Sequence, residues 1–227
     1  MMHHGKCYRL EPVVSLEDGR VVGYDIHAIH ECSGPRALSA SFFTPPSCDD
    51  YSSLLCFPFH GLSSKGMRLH IRLSVWTLAT DIHHIKANDS AIRVVELLHA
   101  GLITNLTINQ RRVFDTNLKE LLRSGCELWV TGILPETIDE CGKLALPLHG
   151  IKFHRDILSH GTWYLRELQY HSKAYAPAIL IDGIDSEDRL LRSRMCGAHF
   201  GQGRLWEELT LVYRDGHCIP ETLAMVQ

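Results

Sequence analysis

Two acidic residues late in the chain stand where a metal-dependent enzyme would place its ligands. Asp182 directly follows a short apolar run at 178–181, and Asp185 comes shortly after it. Carboxylate oxygens are the ligands that hard divalent cations prefer. In a barrel of β/α units the chemistry lies at the carboxyl ends of the strands, which is where Asp182 is predicted.

The surrounding residues predict one β/α unit that positions these carboxylates. The run Ala-Ile-Leu-Ile at 178–181 is typical of a buried strand. Ser186 is a predicted N-cap with acidic residues in the helical turn that follows, and Gly197 is predicted to end the helix. Phe-Gly-Gln-Gly at 200–203, which contains Gln202, predicts the next short strand or turn.

This segment resembles the EAL-domain family, phosphodiesterases that hydrolyse cyclic di-GMP on a TIM-like barrel. The family reads roughly AEGVET, then a helix, then QGY, whereas this chain reads IDGIDS, a helix, and QGR without a gap. Near the N-terminus, LEPVV at 10–14 and GRVVGY at 19–24 also fit the family pattern. The resemblance implies an α/β fold: a TIM-like (β/α) barrel of the EAL type, formed by one domain over residues 1–227.

The resemblance also implies where the family's functional residues fall. Its namesake glutamate falls on Asp25, the lysine that polarises the attacking water is kept as Lys152, and Arg72 replaces a metal-binding asparagine. The arginine that contacts nucleotide phosphate falls on Ile29. The family's E-I-T-E falls on 107–110. The other positions of the site fall on Thr107, Thr131, Gly132, His154, Asp182, Asp185 and Gln202.

These replacements predict a site that no longer binds metal. Two-metal phosphodiester hydrolysis needs clustered carboxylates, and an arginine cannot ligate a cation. We therefore expect no catalytic residue, no metal ligand and no cofactor. We expect Arg72 to pair with Asp25 or Asp182, with Lys152 joining this ion network. The predicted structural remnant of the family site is Asp25, Arg72, Lys152, Asp182, Asp185 and Gln202.

Hydrophobic patterns predict further elements between these motifs. An amphipathic helix is predicted at 90–100 and a strand at 102–108. Another helix is predicted to start at Asp115 or Asn117 and end at Gly125, and one more is predicted at 158–175. The segment 31–66 predicts loops and lacks the length of the two helices that the family carries there. The tail predicts a short strand, a turn at 215–216 and a helix after Pro220.

Composition bounds the class of protein. A net charge of −3 over 227 residues gives no electrostatic reason to expect binding to nucleic acid or to an anionic membrane. No apolar run is long enough to span a bilayer. Eight cysteines, spread singly in a chain without an apolar export signal, favour reduced thiols in a bacterial cytoplasm.

Three functional hypotheses follow. The first is a non-enzymatic, EAL-like regulator that acts by protein–protein interaction. The resemblance to stand-alone anti-flagellar regulators implies that it binds FlhD of the FlhDC transcription activator and represses flagellar gene expression and motility. The alternative is a catalytically dead receptor for cyclic di-GMP. The third and weakest is a metal-dependent hydrolase rebuilt from histidines, since the fifteen histidines show neither HExxH nor HxH spacing.

Overall fold

The computed structural model describes residues 7–29, 66–80, 92–133, 138–214 and 217–220. Its centre is a closed barrel, in which each strand pairs with the next and the first pairs with the eighth. The eight barrel strands are β1 (Cys7–Ser15), β2 (Val21–Ile29), β3 (Arg68–Ser74), β4 (Ile92–Leu98), β5 (Glu127–Ile133), β6 (Gly150–Phe153), β7 (Ala178–Ile181) and β8 (Phe200–Gly201).

Strand direction distinguishes β1 from the other barrel strands. Strands β2 to β8 run parallel, whereas β1 runs antiparallel to both β2 and β8. The pairing of β1 is divided, because Val14 and Ser15 pair with β8 while 7–10 pair with β9 (Leu209–Arg214). A final strand, β10 (His217–Pro220), pairs with β9. The barrel therefore closes through one end of β1, and the other end carries a two-stranded extension.

Helices follow most of the parallel strands. The α-helices are α1 (Val75–Leu78), α2 (Ile108–Arg123), α3 (Ile138–Lys143), α4 (Thr162–Ser172) and α5 (Glu187–Met195), and 3-10 helices span Ala100–Asn105 and Arg155–Ser159. The predicted Ser186 cap of α5 is confirmed, because its hydroxyl accepts a hydrogen bond from the Arg189 N–H. Gly197, at φ +77°, ends this helix as expected. None of the helices among the described residues is long and apolar enough to cross a bilayer.

Alternation along the strands separates two apolar clusters. The larger cluster lies between the barrel and its helices and includes Ile71, Val95 and Ile151. A small separate cluster comes from four strands and fills the barrel interior: Val13, Val94, Trp129 and Leu180. Because side chains on one face recur every second residue, the next inward-facing position after Val94 is Glu96. The interior is therefore apolar at its middle and polar toward the carboxyl ends of the strands.

The helix predicted at 90–100 is wrong, because this segment forms strand β4. All five residues from Arg93 to Leu97 are buried, so burial along the strand is continuous rather than alternating. Strands covered on both faces in parallel sheets have this pattern, which periodicity alone does not distinguish from a buried helix.

Because β4 is predicted as a helix, the next two elements are also predicted at the wrong positions. The strand predicted at 102–108 is instead the 3-10 helix Ala100–Asn105 followed by the start of α2. That helix begins well before Asp115 and Asn117, since Thr107 and Gln110 form a capping box at its N-terminus. The predicted end of α2 near Gly125 is correct.

Two remaining predictions are refined or untested. The helix predicted at 158–175 is divided into the 3-10 helix Arg155–Ser159 and α4, with Gly161 as the N-cap of α4. The strand predicted in the tail is confirmed as β9, and β10 pairs with it beyond the predicted turn. The loops predicted at 31–66 and the helix predicted after Pro220 lie almost wholly outside the described residues.

Candidate functional site

Four charged side chains meet inside the barrel at the carboxyl ends of its strands. They come from four different strands: Asp25 on β2, Arg72 on β3, Glu96 on β4 and Lys152 on β6. Each lies at an inward-facing register position, and in β4 and β6 the neighbouring residues point into the outer core. The barrel geometry therefore converts four distant sequence positions into one cluster.

Each cation in this cluster bridges the same two carboxylates. Lys152 Nζ lies 2.6 Å from Asp25 Oδ2 and 3.2 Å from both carboxylate oxygens of Glu96. Arg72 donates from Nη2 to Asp25 Oδ2 at 2.5 Å and from Nε to Glu96 Oε2 at 3.4 Å. Two negative and two positive charges thus alternate around a ring, and the ring has no net charge. We call these four residues the ion ring.

The ion ring is almost completely removed from water. Asp25 and Glu96 are 0% exposed and Lys152 is 1% exposed, whereas the Arg72 side chain keeps 28% exposure. Isolated buried charges cost several kcal/mol each, so charges at this depth persist only when they are paired and hydrogen-bonded. Arg72 is the member that faces the mouth, and the other three lie beneath it.

Mutual attraction in the ring fixes the protonation states of its members. Burial raises the pKa of Asp25, but Arg72 and Lys152 more than offset this and hold it well below its usual range. Burial likewise opposes ionisation of Glu96, yet Lys152 lowers its pKa to about 2. The two carboxylates raise the pKa of Lys152 against burial and against Arg72. All four groups are therefore charged at neutral pH.

Two further polar side chains, His70 and Gln202, add hydrogen bonds to the carboxylates. His70 Nδ1 lies 2.8 Å from Glu96 Oε1, and its ring stands edge-on to Trp129 with ring centroids 5.4 Å apart. Gln202 donates from Nε2 to Asp25 Oδ2 at 3.1 Å. Both His70 and Gln202 are fully buried. Through these contacts His70 helps to position Glu96, and Gln202, which follows β8, helps to position Asp25.

The structure brings together most of the predicted remnant. The expected pairing of Arg72 with Asp25 is present, Lys152 joins it, and Gln202 contacts it. Asp182 lies beside the ring, where its charge raises the pKa of both Arg72 and Lys152, and it faces Arg155 at 4.0 Å.

Other predicted positions lie apart from the ring. Asp185 forms surface ion pairs with Arg189 at 3.0 Å and with Arg204 at 3.7 Å. His154 caps the 3-10 helix at 155–159 by accepting from the Asp156 N–H. Thr107 caps α2, so the assignment of the E-I-T-E positions to 107–110 is wrong. The strand that precedes α2 is β4, and the carboxylate near its carboxyl end is Glu96.

Sequence reasoning missed Glu96 because it lay inside a segment predicted to be a helix. The signal that was available is a single acidic residue within the apolar run Ile-Arg-Val-Val-Glu-Leu-Leu at 92–98. A charged residue at the centre of a run that long requires a buried partner. Pairing of Arg72 with Glu96 in the β3–β4 register supplies it.

Two more polar residues next to the ring were also missed. Glu11 on β1 stands opposite Asp25 on β2, and His27 lies on the same face of β2 as Asp25. His27 Nε2 is 3.5 Å from Glu11 Oε2 and 3.7 Å from Asp25 Oδ2. Among the described residues, neither His27 Nε2 nor Asp25 Oδ1 has a hydrogen-bond partner. Burial raises the pKa of Glu11, but His27 and Lys152 bring it below its usual value.

The ion ring does not fit a two-metal centre. Such a centre needs carboxylate oxygens whose lone pairs face the two cations. Here Asp25 Oδ2 and both oxygens of Glu96 are bound by Arg72 and Lys152. The guanidinium group cannot lose its proton, so it neither ligates a cation nor leaves room for one.

Solved structures with the same architecture identify the barrel. The chain is similar to an EAL domain protein from Listeria monocytogenes, with 11% identity, a TM-score of 0.62 and coverage of 90% of this chain and 88% of that one. It is similar to the EAL domain of Mycobacterium smegmatis DcpA, with 15% identity, a TM-score of 0.61 and coverage of 100% and 96%. The chain has an EAL-type fold.

The predicted TIM-like barrel of the EAL type is thereby confirmed. Another similar structure is Bacillus subtilis YkuI, a protein with an EAL domain that was solved with its substrate cyclic di-GMP and calcium. There the identity is 16% and the TM-score 0.62, and the match covers 88% of this chain but 54% of YkuI. No protein-family model matches the sequence, and no curated protein matches it. At these identities the EAL-type structures share the fold, and the ion ring is described from this chain's own residues.

Proposed function

We propose that this chain is a non-enzymatic regulator that uses an EAL-type barrel for protein–protein interaction. One observation carries the proposal: Arg72 and Lys152 bind the two buried carboxylates that would otherwise be free to hold cations. A barrel whose mouth is closed by its own ion pairs has no site for two-metal hydrolysis, and a fold alone does not fix a function.

The ion ring also argues against the chemistry seen in a structural neighbour. YkuI, a protein with an EAL domain, was solved in complex with its substrate cyclic di-GMP and calcium. In this chain two fixed positive charges occupy Asp25 Oδ2 and both oxygens of Glu96, which a pair of cations would need as ligands. Without a pair of cations the barrel lacks the means of activating water for attack on the phosphodiester.

An exposed apolar surface supports a role in protein contacts. Trp163 and Tyr170 on α4 are 73% and 74% exposed, and Leu191 and Met195 on the neighbouring α5 are 57% and 47% exposed. The two helices are joined by the bond from Arg166 Nε to the Met195 carbonyl, 3.1 Å long. Exposed aromatic residues and methionine are enriched in protein interfaces. We call these four apolar residues the α4–α5 patch.

Charge around the α4–α5 patch indicates which partner surface fits it. Arg166 lies three residues from Trp163 and four from Tyr170, so helical spacing places it beside both, and Lys173 follows Tyr170 by three. Both basic residues are exposed. Glu167 is also exposed and stands four residues from Trp163 and three from Tyr170, so the patch suits a partner with an apolar surface flanked by charges of both signs. The partner we propose is FlhD, with repression of flagellar gene expression as the outcome.

Calorimetric titration of purified FlhD into the purified chain tests this proposal. We expect saturable binding, and we expect Trp163→Ala to weaken it at least about tenfold, as for a buried aromatic anchor. Ile108→Ala is the matched control, because Ile108 is 82% exposed but lies on α2. If FlhD does not bind, it is not the partner. If both variants weaken binding equally, the α4–α5 patch is not the interface.

Titration with cyclic di-GMP decides between the proposal and its alternative. The chain binds no cyclic di-GMP if the ion ring closes the mouth, with or without Mg²⁺. Saturable nucleotide binding that is lost in Arg72→Met would instead support a catalytically inactive receptor, because Arg72 is the ring member that reaches the mouth.

A further inference from the structure

A second polar group next to the ion ring has ligand atoms without partners. Glu11, Asp25 and His27 each offer one ligand atom, and these atoms lie within 4.8 Å of one another. His27 Nε2 and Asp25 Oδ1 are buried atoms without a hydrogen-bond partner among the described residues. Buried polar atoms are normally satisfied, so two in one place require a reason. The other oxygen of Asp25 is taken by Arg72 and Lys152, which leaves Oδ1 as the free atom.

The spacing of this group fits a bound ion better than a hydrogen bond. His27 Nε2 lies 3.5 Å from Glu11 Oε2 and 3.7 Å from Asp25 Oδ2. These separations exceed an ordinary N–H···O distance of about 2.9 Å. Ligands of a tetrahedral zinc ion, each about 2.0–2.1 Å from the metal, are about 3.4 Å apart. His27 Nε2 and Glu11 Oε2 are therefore spaced like two ligands of one ion, and the unpartnered Asp25 Oδ1 belongs to the carboxylate whose other oxygen lies 3.7 Å from His27 Nε2.

Charge in the barrel mouth favours a cation at this position. Four carboxylates and three fixed cations lie in or beside the mouth, so the carboxylates are one in excess: Glu11, Asp25, Glu96 and Asp182 against Arg72, Lys152 and Arg155. Among the described residues, His27 is the group that stands within ion-pair distance of Glu11. A cation beside Glu11 would offset this excess without displacing either cation from the ring.

We propose that Glu11, Asp25 Oδ1 and His27 Nε2 form a site for a single divalent transition-metal ion, with zinc as the ion that suits one imidazole and two carboxylates. The side chains of Glu11 and His27 keep 14% and 18% exposure, so water can reach the ion from the mouth. This site uses a histidine and a β1 glutamate. It leaves Asp25 Oδ2 and Glu96 bound to the ring, and its role is to close the mouth around β1 and β2 rather than to hydrolyse phosphodiesters.

Titration of the purified, metal-free chain with Zn²⁺, and with Co²⁺ as a spectroscopic probe, tests the site. We expect one equivalent of Zn²⁺ to bind per chain and to raise Tm, and bound Co²⁺ to absorb as a tetrahedral or five-coordinate complex with nitrogen and oxygen ligands. His27→Gln and Glu11→Gln should each weaken Zn²⁺ binding. The loss of affinity should be at least as large as that caused by removing an outer-shell partner, which is about 10- to 100-fold.

His171→Gln is the matched control. His171 also lies near a glutamate, with Nε2 3.9 Å from Glu167 Oε2, but the pair is exposed and has no third ligand within the described part of the chain. This variant should bind Zn²⁺ as the wild type does. The site is wrong if the chain does not bind one equivalent of Zn²⁺, or if His27→Gln binds Zn²⁺ with the affinity of the wild type. It is also wrong if bound Co²⁺ shows sulfur-to-Co²⁺ charge-transfer absorption, because the ion would then lie on cysteines. The Zn²⁺ titration contains no FlhD, so a negative result does not bear on FlhD binding, which is tested by its own titration.

Discussion

Lys152 Nζ lies 2.6 Å from Asp25 Oδ2, although the two residues are 127 positions apart in the sequence. Both side chains are buried, and Lys152 also contacts both oxygens of Glu96 at 3.2 Å. One ammonium group thus joins strands β2, β4 and β6 at the mouth of the barrel.

Replacing Lys152 with methionine should strongly destabilise the chain. The change keeps much of the side-chain volume but leaves Asp25 and Glu96 with Arg72 as their one cation. Breaking a buried ion pair by removing one partner costs about 3–5 kcal/mol. Urea denaturation followed by circular dichroism measures the free energy of unfolding.

Lys119→Met is the control for that experiment, since Lys119 is exposed on α2. It should change the free energy of unfolding by no more than about 0.5 kcal/mol. Equal effects of the two substitutions would show that the ion ring does not hold the mouth together.

Neutralising Glu96 in the Lys152→Met background should restore part of the lost stability. Glu96→Gln removes the carboxylate that Lys152 leaves unpaired, so the double variant should be less destabilised than the sum of the single variants. Contacting residues in one network show coupling energies of about 0.5–3 kcal/mol. A double-mutant cycle from the same urea titrations gives this energy, and strict additivity would contradict direct pairing of Lys152 with Glu96.

The stability of the chain should depend on pH through the ring carboxylates. The pKa of Glu96 is about 2 in the folded chain, below its unfolded value of about 4.3. Its contribution is therefore present above about pH 4.3 and is lost as the pH falls toward 2. The lowered pKa of Asp25 acts in the same direction.

Lys152 sets the opposite limit. Its pKa is raised in the folded chain, so its contribution is present below the unfolded value of about 10.4 and is lost as the pH rises through the higher folded value. Denaturation midpoints measured from pH 2 to 11 should show a plateau between these limits. The difference between wild type and Glu96→Gln should shrink below pH 4, and a constant difference would contradict the assigned pKa of Glu96.

Purified chain should not hydrolyse cyclic di-GMP in the presence of Mg²⁺ or Mn²⁺. Chromatographic detection of the linear dinucleotide should give the rate of the enzyme-free blank. The variant Arg72→Asn should stay inactive as well, because Lys152 still holds Asp25 and Glu96. Turnover by the wild type that disappears in Glu96→Gln would show that the mouth is an active site after all.

Any side chain added at Gly150 should disrupt the barrel interior. A Cβ atom there would lie 2.3 Å from the ring of Trp129, which is itself buried among β1, β4 and β7 side chains. Overpacking of a well-filled core costs about 1–3 kcal/mol, so Gly150→Ala should lower Tm clearly. Gly161→Ala has no atom within 4 Å of the new Cβ and should leave Tm nearly unchanged.

The sequence by itself determined the β/α unit late in the chain. The late unit from 178 to 203 has a short buried strand, a serine cap and a terminating glycine, and each of these signals acts locally. The structure confirms all three as β7, the Ser186 cap and Gly197. Asp25, Arg72 and Lys152 could also be named beforehand, because their motifs carried the resemblance to the EAL-domain family.

The tertiary structure decided which carboxylate completes the ion ring. Strand β4 is buried on both faces, so its sequence lacks the alternation that separates a strand from a helix, and its length alone did not decide. Only the parallel register, in which Arg72 stands opposite Glu96, shows that this glutamate points into the barrel. The same holds for Glu11 and His27, which β1 and β2 bring beside Asp25. Local signals fix where a strand or helix begins, but the closure of eight strands fixes which charges meet.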